Sequence, residues 1–151
     1  MEWRCLPFEA LGVQRLYELL ALRSEVFVVE QHCVFQDIDG LDPQTLHLLG
    51  EREGRLLAYA RLIPPGLKGP DALIGRVVTA PQARGGGTGR ALMAQALAQC
   101  ERLWPAQSLT LHAQAHLQPF YAGFGFMPVG ETYMEDGIAH IEMRLPKETL
   151  Q

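Results

Sequence analysis

The chain has 151 residues, 48% of them hydrophobic and 20% charged, with a formal net charge of -4 at pH 7. This length suits one domain that buries its own core, and this composition excludes a wholly disordered chain. The negative charge argues against nonspecific nucleic-acid binding, because clustered lysines and arginines drive such binding by neutralising phosphates. We therefore predict a single domain over residues 1–151 that binds no nucleic acid.

Membrane and metal partners are not predicted either. No apolar run reaches the length of about 18 residues that spans a bilayer, and the N-terminus lacks a signal-peptide pattern, so we expect a cytoplasmic protein. The three cysteines, Cys5, Cys33 and Cys100, form no CxxC pair, so neither a disulfide framework nor a zinc site is indicated. His32 beside Cys33 supplies only half of a metal site.

The first half of the chain is predicted to be rich in strands, with one long helix. The predicted strands are residues 3–8, 46–51, 55–63 and 73–79. The apolar spacing of residues 11–30 predicts a helix that breaks in the β-branched run at 26–29. The polar loop that follows carries Asp37, Asp39 and Asp42. It is either an active-site rim whose carboxylates attract a cationic substrate or a solvated loop.

A glycine-dense stretch at residues 84–90 follows the fourth predicted strand. It places four glycines within five residues, which would be costly inside a helix or a strand. The positions after it repeat with helical spacing on one face, at Leu92, Met93, Ala96, Leu97 and Cys100. The stretch is therefore predicted to be a loop that leads into a helix N-terminus, where free N–H groups favour a phosphate.

Two common nucleotide motifs do not fit this stretch. A P-loop needs a lysine after its last glycine, and none is present. The dinucleotide fingerprint GxGxxG fails because Arg90 and Leu92 stand where its final glycine is required. The remaining pattern is Arg84-x-x-Gly87-x-Gly89, between a predicted strand and a predicted helix.

The second half of the chain alternates helices and strands. The predicted elements are a helix that ends at Trp104, a strand at 108–113, a short helix at 117–124, and strands at 126–131 and 139–145. Apolar and polar residues alternate in the first and last of these strands, so each is expected to present one face to a core. No internal repeat or long linker divides the chain.

The pattern Arg84-x-x-Gly87-x-Gly89 resembles the pyrophosphate loop of the GNAT superfamily of acyl-CoA-dependent N-acetyltransferases. Tyr121, followed by Gly125 and Phe126, resembles a later motif of the same superfamily, in the same order along the chain. Two motifs in the right order make the resemblance specific.

The resemblance extends to one branch of the superfamily and to nearly the whole chain. Residues 23–42, 113–117 and 135–138 look like the ElaA-type branch. Two positions depart from the family pattern, because Gln114 stands where many members carry Asn and Leu117 where many carry Ala. Both departures bear on the acceptor side and on local pantetheine contacts rather than on the phosphate loop.

The resemblance implies an α/β fold of the α+β type, with a mixed, mostly antiparallel twisted sheet and helices on both faces. It implies acetyl-CoA as co-substrate and transfer of the acetyl group to an amine, on a small molecule or a peptide, by direct attack through a tetrahedral intermediate. By the same analogy, a strand irregularity points an N–H at the thioester oxygen. The implied coenzyme-binding positions are Val77, Val78, Thr79, Arg84, Gly85, Gly86, Gly87, Thr88, Gly89, Arg90 and Gln114.

Tyr121 matches the superfamily's general acid, although its neighbours Phe120 and Phe124 also allow it to be a core residue. An amine with a pKa of about 10.4 is only about 0.04% neutral at pH 7, so a base or a water path is needed. The candidate bases are Glu30, His112 and His116, whereas His47 and His140 are expected to be hydrogen-bonded structural residues.

Two other functions remain open from the sequence. One is a catalytically silent module that binds or senses acyl-CoA, and the other is an acyltransferase of the homoserine-lactone synthase type that uses a longer acyl donor. The oligomeric state is also open, with a homodimer among the alternatives.

Overall fold

The computed structural model describes residues 1–147, which are built around one seven-stranded sheet. Residues 148–151, the end of the predicted domain, lie outside the described residues. The strands are β1 (Glu2–Pro7), β2 (Leu46–Arg52), β3 (Arg55–Ile63), β4 (Ala72–Thr79), β5 (Leu109–Gln114), β6 (Met127–Glu135) and β7 (Ile138–Leu145). The α-helices are α1 (Gly12–Arg23), α2 (Thr88–Leu103) and α3 (Gln118–Ala122).

The sheet is mixed and mostly antiparallel, as predicted. Its strand order is β1-β2-β3-β4-β5-β7-β6, and only β4 and β5 run parallel. These two strands pair at Ala72 with Leu109 and at Leu73 with Thr110. Beyond that point they carry no further paired residues, so a gap opens in the middle of the sheet.

Two apolar cores cover opposite faces of the sheet, which confirms helices on both sides. The buried face of α2 packs on one side, and Cys100 lies in this core as expected. The buried residues of α1, including Leu19 and Leu22, pack on the other side. Neighbours on β2 alternate between the two, with Leu48 in the α2 core and Leu49 in the α1 core. This follows from the period of two along a strand.

The predicted break in the first helix is a change of helix type. After Arg23 the chain continues as a π-helical turn over Ser24–Glu30. Its wider hydrogen bonds include Gln31 N–H to the Val26 carbonyl at 3.2 Å and Cys33 N–H to the Val28 carbonyl at 3.0 Å. Such turns are rare and cluster at functional sites.

Two predicted boundaries near the C-terminus are wrong. The short helix predicted over 117–124 covers only Gln118–Ala122, because Gly123 ends it and Gly125 adopts a left-handed φ of +98°. The strand predicted to end at 131 continues to Glu135 as β6, the edge strand. No helix within residues 1–147 has the length and apolarity needed to cross a membrane.

Candidate active site

A cleft of about 470 Å³ lies at the gap between β4 and β5. One wall comes from the π-helical turn and the loop after it, with Phe27 and Phe35, and another wall includes Glu135 and Asp136 at the β6–β7 turn. The thiol of Cys33 joins the two walls by donating to the Asp136 carbonyl at 3.0 Å. Seven predicted site residues line the cleft: Val77, Val78, Thr79, Arg84, His112, Gln114 and Tyr121.

The other predicted site residues lie outside the cleft lining. They are Glu30, Gly85, Gly86, Gly87, Thr88, Gly89 and Arg90. All but the first belong to the glycine loop and the first turn of α2, next to Arg84 at the edge of the cleft.

The expected strand irregularity is a bulge in β4. Tyr59 of β3 pairs with Val78, but Arg61 pairs with Gly75, so β4 carries one extra residue. The bulged strand takes a left-handed conformation at Arg76, with a φ of +49°. A non-glycine residue there is strained and persists only where its surroundings hold it.

Asp37 binds the side chain of Arg76 and holds it in place. The guanidinium Nη2 donates to the Asp37 carbonyl oxygen at 3.0 Å. Its Nε lies 2.9 Å from Oδ1 of the same aspartate, as an ion contact without hydrogen-bond alignment. The loop after the π-helical turn therefore holds the Arg76 side chain, in the part of β4 that no longer pairs with β5.

The glycine loop leads into α2 through left-handed backbone and leaves the helix N-terminus uncapped within residues 1–147. Gly85 and Gly87 adopt φ values of +87° and +80°, which only glycine takes without strain. Gly87 directly precedes α2, and no side chain of residues 1–147 caps that helix N-terminus. A Cβ built on Gly85, Gly86 or Gly87 would meet nothing within 4 Å, so the space beside the loop is open. Free N–H groups at the positive end of a helix, beside open space, suit a phosphate.

Glu30 is engaged by Arg84. Its two carboxylate oxygens lie 2.8 Å and 3.1 Å from the guanidinium nitrogens. The two side chains are 41% and 43% exposed. The pair thus links the end of the π-helical turn to the glycine loop.

Tyr121 is both a core residue and a cleft residue. Its side chain on α3 is 7% exposed, and its ring meets those of Phe120 and Phe126 edge to face at 5.1 Å and 6.4 Å. Burial raises the pKa of Tyr121 to about 12. The phenol therefore stays protonated across the physiological pH range.

The carboxylates of the acidic loop are not free to attract a cationic substrate. The sequence-based alternative of a rim that attracts such a substrate is therefore wrong. Its carboxylates form ion pairs with three arginines, at 2.7–3.5 Å: Arg23, Arg61 and Arg76. Arg23 and Arg61 are 0% and 2% exposed. Three carboxylates and three guanidinium groups cancel, so this buried ion cluster carries no net charge.

The ion cluster also shifts the ionisation of its members. Burial opposes charge on Asp42, but hydrogen bonds from Arg23 and Arg61 outweigh it and lower the pKa of that carboxyl. His47 is completely buried beside the cluster, where its Nδ1 lies 2.6 Å from the Tyr59 hydroxyl and burial lowers its pKa. The expected structural role of His47 is confirmed.

Histidine and tyrosine side chains gather on the β5–β7–β6 side of the cleft. His112 Nδ1 lies 2.8 Å from the hydroxyl of Tyr133, a residue that the sequence analysis did not single out. His140 donates from Nδ1 to the Ile138 carbonyl at 2.8 Å, as expected of a structural histidine. His116 is exposed and does not line the cleft. Within residues 1–147, no three His, Cys, Asp or Glu side chains converge on a possible metal position.

The sequence profile described as the Acetyltransferase (GNAT) domain matches residues 13–147. This chain belongs to the GNAT acetyltransferase family. It is an acyltransferase, and the GNAT fold uses acyl-CoA as co-substrate. Family membership thus favours an enzyme over a silent binding module.

The similarity to known relatives extends over nearly the whole chain. Protein ElaA of Escherichia coli (strain K12) is 47% identical over 145 residues, which cover 95% of each chain. Its crystal structure superposes with a TM-score of 0.90 at 46% identity, over 95% of this chain and 97% of that one. An acyl-CoA N-acyltransferase from Pseudomonas aeruginosa gives a TM-score of 0.92 at 50% identity, with the same coverage.

A more distant likeness concerns the fold alone. The CoA-dependent acyl-homoserine lactone synthase BjaI has a TM-score of 0.77 at 18% identity, over 95% of this chain and 82% of that one. The GNAT fold is therefore shared with these synthases, while the close relatives are of the ElaA type.

Proposed function

We propose that this GNAT protein transfers an acetyl group from acetyl-CoA to a primary amine by direct attack, through a tetrahedral intermediate. The observation that carries the proposal is one cleft lined by both Arg84, beside the open glycine loop, and Tyr121, a buried phenol. In this proposal Arg84 binds the pyrophosphate and Tyr121 protonates the sulfur, which are the two ends of the pantetheine arm.

In this proposal the glycine loop holds the pyrophosphate. Backbone N–H groups of residues 85–89 and the guanidinium of Arg84 bind the phosphate oxygens. Arg90 is exposed in the first turn of α2, where an arginine is unfavourable to the helix dipole unless an anion is near. It therefore adds a second cation to the phosphate site.

The open edge of β4 receives the pantetheine arm. Because β5 no longer pairs with β4 beyond Leu73, those main-chain groups of Val77, Val78 and Thr79 that point away from β3 are available to pair with an extended ligand, as an added strand would. The bulge at Arg76 re-aims the N–H groups that follow it. One such N–H stabilises the oxyanion of the tetrahedral intermediate.

Tyr121 protonates the leaving thiolate. An ordinary thiol has a pKa of about 8.5, so proton transfer from a phenol near 12 is uphill by about 5 kcal/mol in the ground state. The same burial also raises the proton affinity of a thiolate that forms beside the ring, which narrows this gap. Tyr121 therefore donates a hydrogen bond that strengthens as charge develops on sulfur, and completes the transfer as the C–S bond breaks.

Tyr121→Phe tests this role. Turnover should fall about 100-fold, at the low end for an acid catalyst because the phenol is a weak acid. Coenzyme A affinity should stay near wild type, because the ring and its contacts with Phe120 and Phe126 remain. Thiol release gives the turnover and calorimetry gives the affinity. Unchanged turnover would remove Tyr121 as the acid.

His112 is the base that the geometry supports best among the three candidates. Glu30 lies outside the cleft lining and has both oxygens engaged by Arg84, and His116 also lies outside it. His112 lines the cleft, is exposed and has one ring nitrogen already held by Tyr133.

Glu30 is instead expected to compete with the phosphates for Arg84. Glu30→Gln removes the competing charge, so coenzyme A affinity should rise. A pair this exposed contributes at most about 1 kcal/mol, which limits the gain to roughly twofold to fivefold. Glu25→Gln, at an exposed position of the same π-helical turn, is the matched control. A fall in affinity for Glu30→Gln would contradict this role.

A further inference from the structure

The β6–β7 hairpin brings a tyrosine to the candidate base. Tyr133 pairs with His140 in the register of the hairpin, and His112 pairs with Glu142 on the other side of β7. Alternation along the strands puts these residues on the face of the sheet opposite to Leu111 and the α2 core. There the Tyr133 hydroxyl lies 2.8 Å from Nδ1 of His112.

The tyrosine is itself held in place. Its ring stacks on His140, with centroids 6.0 Å apart and planes at 27°, and meets the ring of His112 edge to face at 6.3 Å. His140 is itself anchored, because its Nδ1 donates to the Ile138 carbonyl at 2.8 Å. His112, which is exposed at the cleft, thus contacts a tyrosine, Tyr133, that its own neighbours hold in place.

The two nitrogens of a neutral imidazole are not equivalent. One carries a proton and the other has the free electron pair that a base needs, and the hydrogen bond made by one decides the state of the other. When Nδ1–H donates to the Tyr133 oxygen, Nε2 keeps its electron pair. When Tyr133 donates to Nδ1, Nε2 carries the proton and is no base.

We propose that Tyr133 is a positioning residue that holds the His112 ring with Nδ1 protonated, so that Nε2 faces the acceptor amine with a free electron pair. This inference rests on the proposed function. His112 is the catalytic residue, and Tyr133 acts through it. The stack on His140 keeps the tyrosine oxygen within hydrogen-bond distance of Nδ1, at 2.8 Å.

Protons move through His112 and Tyr121 during the proposed transfer. Nε2 of His112 takes one proton from the acceptor ammonium and later releases it to solvent. The neutral amine nitrogen forms the C–N bond to the thioester carbon, and the C–S bond breaks. Tyr121 gives its proton to the leaving sulfur and regains one, through solvent, from the nitrogen of the intermediate. One proton is released for each amide formed.

Tyr133→Phe tests the positioning role, because it keeps the ring and its stack on His140 while it removes the oxygen. Nitrogen NMR of the imidazole should show Nδ1 of His112 protonated in the wild type. In the variant the ratio of the Nδ1–H tautomer to the Nε2–H tautomer should fall roughly fivefold, the effect of losing one hydrogen bond. The kcat for amine acetylation should fall in proportion to the population of the Nδ1–H tautomer, with the KM for acetyl-CoA unchanged.

Tyr17→Phe is the matched control, because Tyr17 is 77% exposed on α1 and removed from the cleft lining. Turnover is measured with phenethylamine, 1,4-diaminobutane and Nα-acetyl-lysine amide as acceptors. An active wild type whose Tyr133→Phe variant keeps either its tautomer or its kcat overturns the positioning role alone. A wild type that releases no thiol with any amine refutes the proposed function, and the catalytic part of this inference with it.

Discussion

Gly87→Val is expected to weaken coenzyme A binding about 1,000-fold. Two or three charge-assisted hydrogen bonds from the loop to phosphate are lost, each contributing about 1.5–3 kcal/mol. The loss has two causes: a β-branched residue resists the φ of +80° at this position, and its side chain enters the open space beside the loop. Calorimetry with coenzyme A measures the effect.

Gly54→Val separates the phosphate site from general backbone strain. Gly54 has a φ of +74° in the β2–β3 turn, and a Cβ there also meets nothing within 4 Å. The two variants should therefore lose similar stability, while only Gly87→Val loses coenzyme A affinity. Equal affinity for the two variants would refute the proposed phosphate site.

Arg23→Met is expected to lower the free energy of unfolding by about 3–5 kcal/mol. The guanidinium is 0% exposed and donates to Asp37 at 2.9 Å and to Asp42 at 2.8 Å. Its removal takes a neutralising charge and a hydrogen bond from each of two buried carboxylates, which then keep their negative charge at a cost. Methionine keeps much of the side-chain length, so lost charge rather than lost volume dominates the result.

Urea unfolding measures this loss, with Arg55→Met, at the exposed start of β3, as the control. Arg23→Met should also weaken catalysis, because Arg23 binds Asp37 and Asp37 in turn holds Arg76 at the β4 bulge. A loss below about 1 kcal/mol for Arg23→Met would show that the buried ion cluster tolerates a missing partner, contrary to this account.

The glycine loop and the α2 helix could be predicted from the sequence because their signals are local. Left-handed backbone favours glycine, and helical spacing appears within a few turns. The residues from 84 to 100 therefore predict a loop followed by a helix without any long-range contact. The sheet with helices on both faces came from the resemblance to a family rather than from these local signals. The strand irregularity also came from the resemblance, and in the structure it is the β4 bulge, where Arg76 takes a left-handed conformation.

The partners of the ionic and histidine clusters could not be predicted in the same way. Asp37 and Arg76 are 39 residues apart, and sequence spacing says nothing about such pairs. Tyr133 was missed because β6 was predicted to end before it, and its pairing with His140 depends on the register of an irregular hairpin. Strand ends and register depend on long-range contacts rather than on local propensity.

The measurement that tests the central claim most directly is acetyl transfer by the wild-type protein. Acetyl-CoA is incubated with phenethylamine, 1,4-diaminobutane and Nα-acetyl-lysine amide, and free thiol is followed beside mass spectrometry of the amines. We predict thiol release that is matched, mole for mole, by an N-acetylated product for at least one amine. Coenzyme A binding without any acetylated amine, and with thiol release no faster than in buffer, would contradict the proposed acetyl transfer to a primary amine.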